Sequence, residues 1–75
     1  MYYVYVLKNR RTNWFYIGYT ENLKRRLVEH KKSDNGIELV YYEAYIYEKH
    51  ARTRERKLKQ YGSAWRGLRR RLGFA

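Results

Sequence analysis

The sequence predicts an α+β fold, a three-stranded antiparallel β-sheet flanked by helices in the order β-β-α-β-α-α. Two runs rich in aromatic and β-branched residues, 2–7 and 14–19, stand on either side of a polar turn. A third such run, centred on 39–42, follows a segment with helical spacing of its apolar residues. The last third of the chain is strongly basic, with apolar residues at helical rather than alternating intervals.

The first strand is expected over Tyr2 to Leu7 and the second over Trp14 to Tyr19, joined as a hairpin by the polar segment Lys8 to Asn13. Thr20 is the expected N-cap of the first helix, with Glu21 in its first turn, where a carboxylate complements the helix dipole. That helix runs through Leu23, Leu27 and His30 to about Lys32, and the turn residues Ser33-Asp34-Asn35-Gly36 stop it. The third strand lies within Ile37 to Tyr47. A second helix covers Glu48 to Tyr61 and ends near Gly62, a preferred helix terminator. Ser63 is the expected cap of a last short helix through Ala64, Trp65 and Leu68, and Gly73 to Ala75 are expected to fray. With no proline, repeat or low-complexity linker, residues 1–75 read as a single domain.

Composition narrows the chemistry. Seventy-five residues support one modest core and a thin stability margin. The absence of cysteine excludes disulfides and thiolate zinc sites, and two histidines are too few for a histidine cage. A metal would therefore lean on carboxylates, which favours a hard ion such as Mg²⁺ or Mn²⁺. Eighteen Lys and Arg against seven Asp and Glu leave a net charge of +11, a field that attracts polyanions and points to nucleic acid. A membrane partner is not expected, because no long amphipathic basic helix with an apolar lipid face is evident. The apolar run Tyr2 to Leu7 is too short for a targeting or spanning segment, so a cytoplasmic location is the expectation.

A few residues break the pattern of their surroundings. Glu55 sits in an otherwise basic helix among Arg52, Arg54, Arg56, Lys57 and Lys59. At the helical repeat it falls within about 40° of the line joining Ala51 and Leu58, the stripe that faces the sheet. Arg26 and His30, four residues apart, flank the stripe of Leu23 and Leu27 and are aimed at the same sheet. Tyr3 and Tyr5 share one face of the first strand, and Tyr16 and Gly18 one face of the second. Gly18 is small where something must approach the backbone. Read singly, Glu55 equally suits an ion pair with a nearby arginine, His30 a hydrogen-bonded half-buried histidine, and Arg26 a partner for Glu55. Most of the ten tyrosines suit sheet packing.

Taken together, Tyr3-Val4-Tyr5 and Tyr16-Ile17-Gly18, followed by Asn22 to Leu27 and His30, resemble the core of the GIY-YIG nucleases. The whole chain is similar to the short stand-alone bacterial members of that family, through Tyr3 to Leu7, Phe15 to Thr20, Asn22 to His30, Leu39 to Glu43 and Arg54 to Tyr61. The resemblance implies roles by position. Tyr5 is the general base, Tyr16 helps to hold water and phosphate, Arg26 stabilises charge on phosphoryl oxygens, His30 handles a proton or contacts phosphate, and Glu55 binds one Mg²⁺ or Mn²⁺ ion. A tyrosine needs a nearby cation to act as a base near neutral pH, and Arg26 and the metal are the expected sources.

The pattern also departs from the family. Tyr3 stands where the founding motif has glycine, the segment Lys31 to Glu38 is short, and Gln60 and Ser63 only weakly replace an asparagine some members carry. The basic residues Arg25, Lys31, Lys32, Arg54, Arg56 and Lys57 are expected to grip nucleic acid. The reading that follows is a metal-dependent DNA endonuclease, selective for DNA structure and serving repair or recombination. RNA is a second possible substrate, and an unknown protein partner would supply specificity. The alternatives are a catalytically inactive basic nucleic-acid-binding module and a ribosome-associated basic protein.

Overall fold

A computed structural model describes residues 1–60 and 62–74 of the chain. The elements follow in the expected order: β1 (Tyr2–Asn9), β2 (Phe15–Thr20), α1 (Leu23–Ser33), β3 (Ile37–Tyr45), α2 (Glu48–Gln60) and α3 (Gly62–Arg71). The sheet is antiparallel throughout, with β1 at its centre in the order β2-β1-β3.

β1 is covered on both faces, which explains why Val4-Tyr5-Val6-Leu7 is a continuous apolar run rather than an alternation. The alternation is still there in the geometry. Val4 and Val6 pack with Ala51 and Leu58 of α2 and Leu68 of α3 on one face. Tyr5 and Leu7 pack on the other with Ile37 and with Leu23 and Leu27 of α1. The single core expected from chain length is therefore two clusters sharing one strand. It follows that α1 and α2, both expected against the sheet, cover opposite faces of it. Helical spacing identifies a buried face but not which sheet face it meets.

Local chemistry corrects several boundaries. The N-cap of α1 is Asn22, whose side chain accepts from the Arg25 amide at 3.0 Å. Thr20 instead ends β2 and uses its Oγ1 to accept from the Asn22 amide at 3.1 Å, leaving Glu21 outside the helix. β3 stops at Tyr45 because Tyr2, its partner there, is the first residue of β1, so 46 and 47 have no strand to pair with. A register shift between Val6 and Leu7 inserts one extra β3 residue, Val40, between the partners Leu39 and Tyr41. Gly62 begins α3 instead of terminating α2, and Ser63 lies inside that helix. Tyr61, expected at the end of the second helix and in its motif, lies outside the described residues, as does Ala75. The end of α3 is capped rather than frayed through Gly73 and Phe74. Gly73 takes φ +88°, its amide reaches the Arg70 carbonyl at 3.0 Å, and the Phe74 amide reaches that of Arg69 at 3.0 Å. The Phe74 ring then rests 5.4 Å from that of Phe15.

Glu43 ties β3 to α2. Its carboxylate accepts from Arg54 through Nε at 3.0 Å and Nη2 at 3.1 Å, and also from the hydroxyls of Tyr41 and Tyr45. Burial alone would raise its pKa, but the hydrogen bonds from Arg54 and the two tyrosines hold it below the ordinary 4.5. A carboxyl with a depressed folded pKa contributes stability that is present above 4.5 and is lost as pH falls through the folded value. Glu43→Gln should therefore lower the unfolding free energy by roughly 1–3 kcal/mol at pH 7 in urea titrations. The gap to the native chain should close as pH is taken well below 4.5. A gap unchanged by acid would exclude charge as its source.

Candidate active site

The site grows from the α1 face of the sheet. Tyr5 projects from β1 directly opposite Gly18 of β2. A Cβ placed on Gly18 would lie 2.5 Å from both Cζ and the hydroxyl of Tyr5, and 2.9 Å from Cε1 of Tyr16. The group approaching the Gly18 backbone is thus the phenol of Tyr5 itself. Its hydroxyl meets His30 Nε2 at 3.0 Å. The Tyr16 ring completes the cluster, 6.3 Å from Tyr5 and 5.1 Å from His30 between centroids.

Arg26 and His30 reach this cluster because α1 places them one turn apart at the edge of its buried stripe. Arg26 is exposed, donates to Glu29 at 3.0 Å, and sits beside the Tyr5 hydroxyl. Glu55 arrives from the other face of the sheet. α2 packs on β1 and β2, and Glu55 is only 21% exposed with Lys59 Nζ 3.1 Å from its Oε2. The same ammonium lies 5.9 Å from the Tyr16 ring centre, and Glu55 is near enough to Tyr5 to raise the pKa of its hydroxyl. Thus Tyr5, Tyr16, His30 and Arg26 form one cluster, with Glu55 at its border beside β2.

Electrostatics departs from the expectation for Tyr5. Burial drives its hydroxyl pKa upward and outweighs the lowering by Arg26, while Tyr16 and Glu55 add to the rise. Tyr5 is neutral at rest. The His30 pKa is lowered, first by burial and then by the Arg26 charge, with Glu29 opposing. A neutral His30 with its proton on Nδ1 leaves Nε2 free to accept from the Tyr5 hydroxyl.

Among the described residues, no three His, Asp or Glu side chains converge as a metal cage. Glu55 alone fits a hard divalent ion, which binds through one or two carboxylates and completes its shell with water and phosphate oxygens. In the structure this carboxylate is paired with the Lys59 ammonium at 3.1 Å. Lys59 was not singled out from the sequence as part of the site, although its i to i+4 spacing from Glu55 signals the pair.

The proposed gripping residues separate into groups. Arg25, Lys31 and Lys32 are exposed along α1, and Arg56 and Lys57 along α2. Arg25 approaches Glu29 at 4.0 Å. Arg54 differs from the rest: its guanidinium fork is already engaged by Glu43, half-buried against β3. It is a structural clamp rather than a free cation.

A family model of the GIY-YIG catalytic domain matches residues 1–71. The chain belongs to the GIY-YIG nuclease family. The match runs from β1 through the last residue of α3, so the family domain takes in every element that builds the cluster. Nucleic acid is the substrate class of GIY-YIG nucleases, and they generally depend on a divalent metal ion. No curated protein and no solved structure matches the chain significantly. No helix among the described residues is long and apolar enough to cross a membrane.

Two glycines test the packing account. Gly18→Ala should lower the unfolding free energy by about 1–3 kcal/mol, because the added methyl overlaps the Tyr5 ring. Gly67→Ala, in the middle of α3 with nothing within 4 Å of the new methyl, should raise it by roughly 0.5–1 kcal/mol. Urea unfolding of both variants gives the comparison, and equal effects of one sign would contradict it.

Proposed function

We propose that the chain is a metal-dependent endonuclease that hydrolyses DNA phosphodiester bonds, with selectivity for DNA structure and a role in repair or recombination in the cytoplasm. The observation that carries this reading is the Tyr5–His30 hydrogen bond of 3.0 Å, beside Arg26 and bordered by Glu55. A binding module needs no such proton-transfer pair and gains nothing from a carboxylate near bound phosphate.

In this reading Tyr5 takes the proton of the attacking water while its own passes to Nε2 of His30. Arg26 exchanges Glu29 for the phosphate and offers its fork to two oxygens of the scissile group. Tyr16 donates its hydroxyl to the water or to the phosphate. Glu55 would hold one Mg²⁺ or Mn²⁺, which when bound supplies positive charge for the leaving oxygen. Arg25, Lys31, Lys32, Arg56 and Lys57 contribute phosphate contacts around the site, so affinity should fall with salt. RNA is a further possible substrate, and specificity beyond structure would come from a protein partner.

Glu55→Ala should abolish Mg²⁺-supported cutting across linear, flap and branched DNA while leaving DNA affinity within about threefold. Binding without any cutting by the native chain would transfer the conclusion to the inactive nucleic-acid-binding module. A pH dependence follows from His30. Its lowered pKa keeps it neutral through the physiological range and able to accept a proton until pH falls through that lowered value. The acid limb of kcat/KM should accordingly have its midpoint below 6.5 and vanish in a His30→Ala variant of roughly 10²–10⁴-fold reduced rate. A midpoint above 6.5 in the native enzyme would remove His30 from the proton path.

A further inference from the structure

The turn between β1 and β2 is more firmly built than a solvent loop requires. Asn9 is buried at the end of β1 and accepts through Oδ1 from the amides of Arg11 at 2.9 Å and Thr12 at 3.2 Å. Its Nδ2 donates to Asp34 in the turn after α1. The Asn9 amide reaches the Trp14 carbonyl at 2.8 Å, and the Asn13 amide reaches the Asn9 carbonyl at 2.9 Å. Asn13 adopts φ +58°, a left-handed conformation that asparagine tolerates better than most residues. Thr12 Oγ1 then accepts from the Trp14 amide at 3.3 Å.

All this order positions one large side chain in solvent. Trp14 is 60% exposed, whereas Trp65, the other tryptophan, packs into the core with its ring 5.2 Å from that of Phe15. The Trp14 ring centre lies 6.2 Å from that of Tyr16, which itself lies 5.1 Å from His30. An indole carried on this ordered turn beside the site, with a π-face to offer, meets the requirement of a base-stacking platform. Arg10, exposed on the same turn, supplies positive charge for the backbone, while Arg11 is paired with Asp34 at 3.3 Å.

We propose that Trp14 stacks an unpaired nucleobase next to the phosphate to be cleaved, so that DNA with a single-stranded segment at the cut is the favoured substrate. The proposal rests on the nuclease reading of the Tyr5–His30 site. Bases inside an intact duplex are stacked on one another and do not present a free face, while a flap, a gap or a frayed end does. Stacking is indifferent to base identity, so selectivity for DNA structure without sequence readout follows.

The test is equilibrium binding in EDTA, with a short oligothymidylate and a duplex of equal length as the two probes. Trp14→Ala should weaken oligothymidylate binding roughly 5- to 100-fold and leave duplex binding within about twofold, while Trp14→Phe retains most of the single-strand affinity. Oligothymidylate should also quench indole emission in the native chain but not in Trp14→Phe, where only Trp65 remains. Equal losses for both probes, no loss in Trp14→Ala, or a quench that persists in Trp14→Phe would each overturn the proposal. No cleavage is read, so a chain that never cuts DNA can still show the stacking contrast, and a chain without the contrast can still cut.

Discussion

The two-sided burial of β1 is the constraint on which the remaining structure depends. Its even-numbered residues Val4 and Val6 anchor α2 and α3, while its odd-numbered residues Tyr5 and Leu7 receive α1. A slip of one residue against β2 or β3 would exchange the two sets and expel the phenol from the site. Each fully buried aliphatic side chain of this strand stabilises the fold by about 1.5–3 kcal/mol, so register is strongly specified. That register sets Tyr5 opposite Gly18, and the missing side chain there gives the phenol its route across β2. The Tyr5 hydroxyl is in this sense placed by the core.

The charged groups around the cluster are already paired, and the pairs have the form of what a nuclease would bind. Lys59 lies on Glu55 where a divalent cation would lie, and the Glu29 carboxylate occupies Arg26 as a phosphate would. Both pairs are partly exposed helix contacts, of a kind worth at most about 1 kcal/mol in water. Their exchange for stronger partners is therefore easily offset. Arg54 with Glu43 is the opposite case, more buried and bidentate, with Tyr41 and Tyr45 completing the carboxylate's shell. Drawing Arg54 onto a phosphate would leave the half-buried Glu43 carboxylate without its cation, which holds Arg54 to the scaffold.

Much of this was legible in the sequence, and the parts that were not have physical reasons. Strand and helix order follows from periodicity, and Tyr5, Tyr16, Arg26, His30 and Glu55 are expected as one site from their places on those elements and from the family resemblance. Which sheet face each helix covers was not legible, because an apolar stripe such as Ala51 and Leu58 states that it is buried without stating against what. The cap of α1 was misplaced by two residues, since Thr20, Glu21 and Asn22 all carry capping chemistry and only the geometry selects Asn22. Arg54 was indistinguishable from Arg56 as a basic residue, because its partner Glu43 is remote in sequence. Trp14 read simply as the start of a strand, and its exposure is a property of the turn that Asn9 organises.

The proton on Tyr5 shows how these pieces would act together in the proposed reaction. A phenol of ordinary pKa is ionised in about one molecule per thousand at pH 7, and burial makes Tyr5 rarer still as a base. Arg26 has opposed effects on the pair: its charge favours loss of the proton from Tyr5 but disfavours its arrival on His30. A phosphate against Arg26 would take the place the Glu29 carboxylate already holds, so the field of Arg26 at His30 and Tyr5 would change little. A larger change is available on the other side of the cluster, where the Glu55 carboxylate raises the Tyr5 pKa. If Glu55 held a divalent cation, as proposed, the added positive charge would oppose that rise and favour loss of the proton. In the proposed reaction the Tyr5 proton would then pass to the neutral His30 across their 3.0 Å contact. One carboxylate would suffice for this, because the proposed task is to reverse the sign of the field at a single hydroxyl.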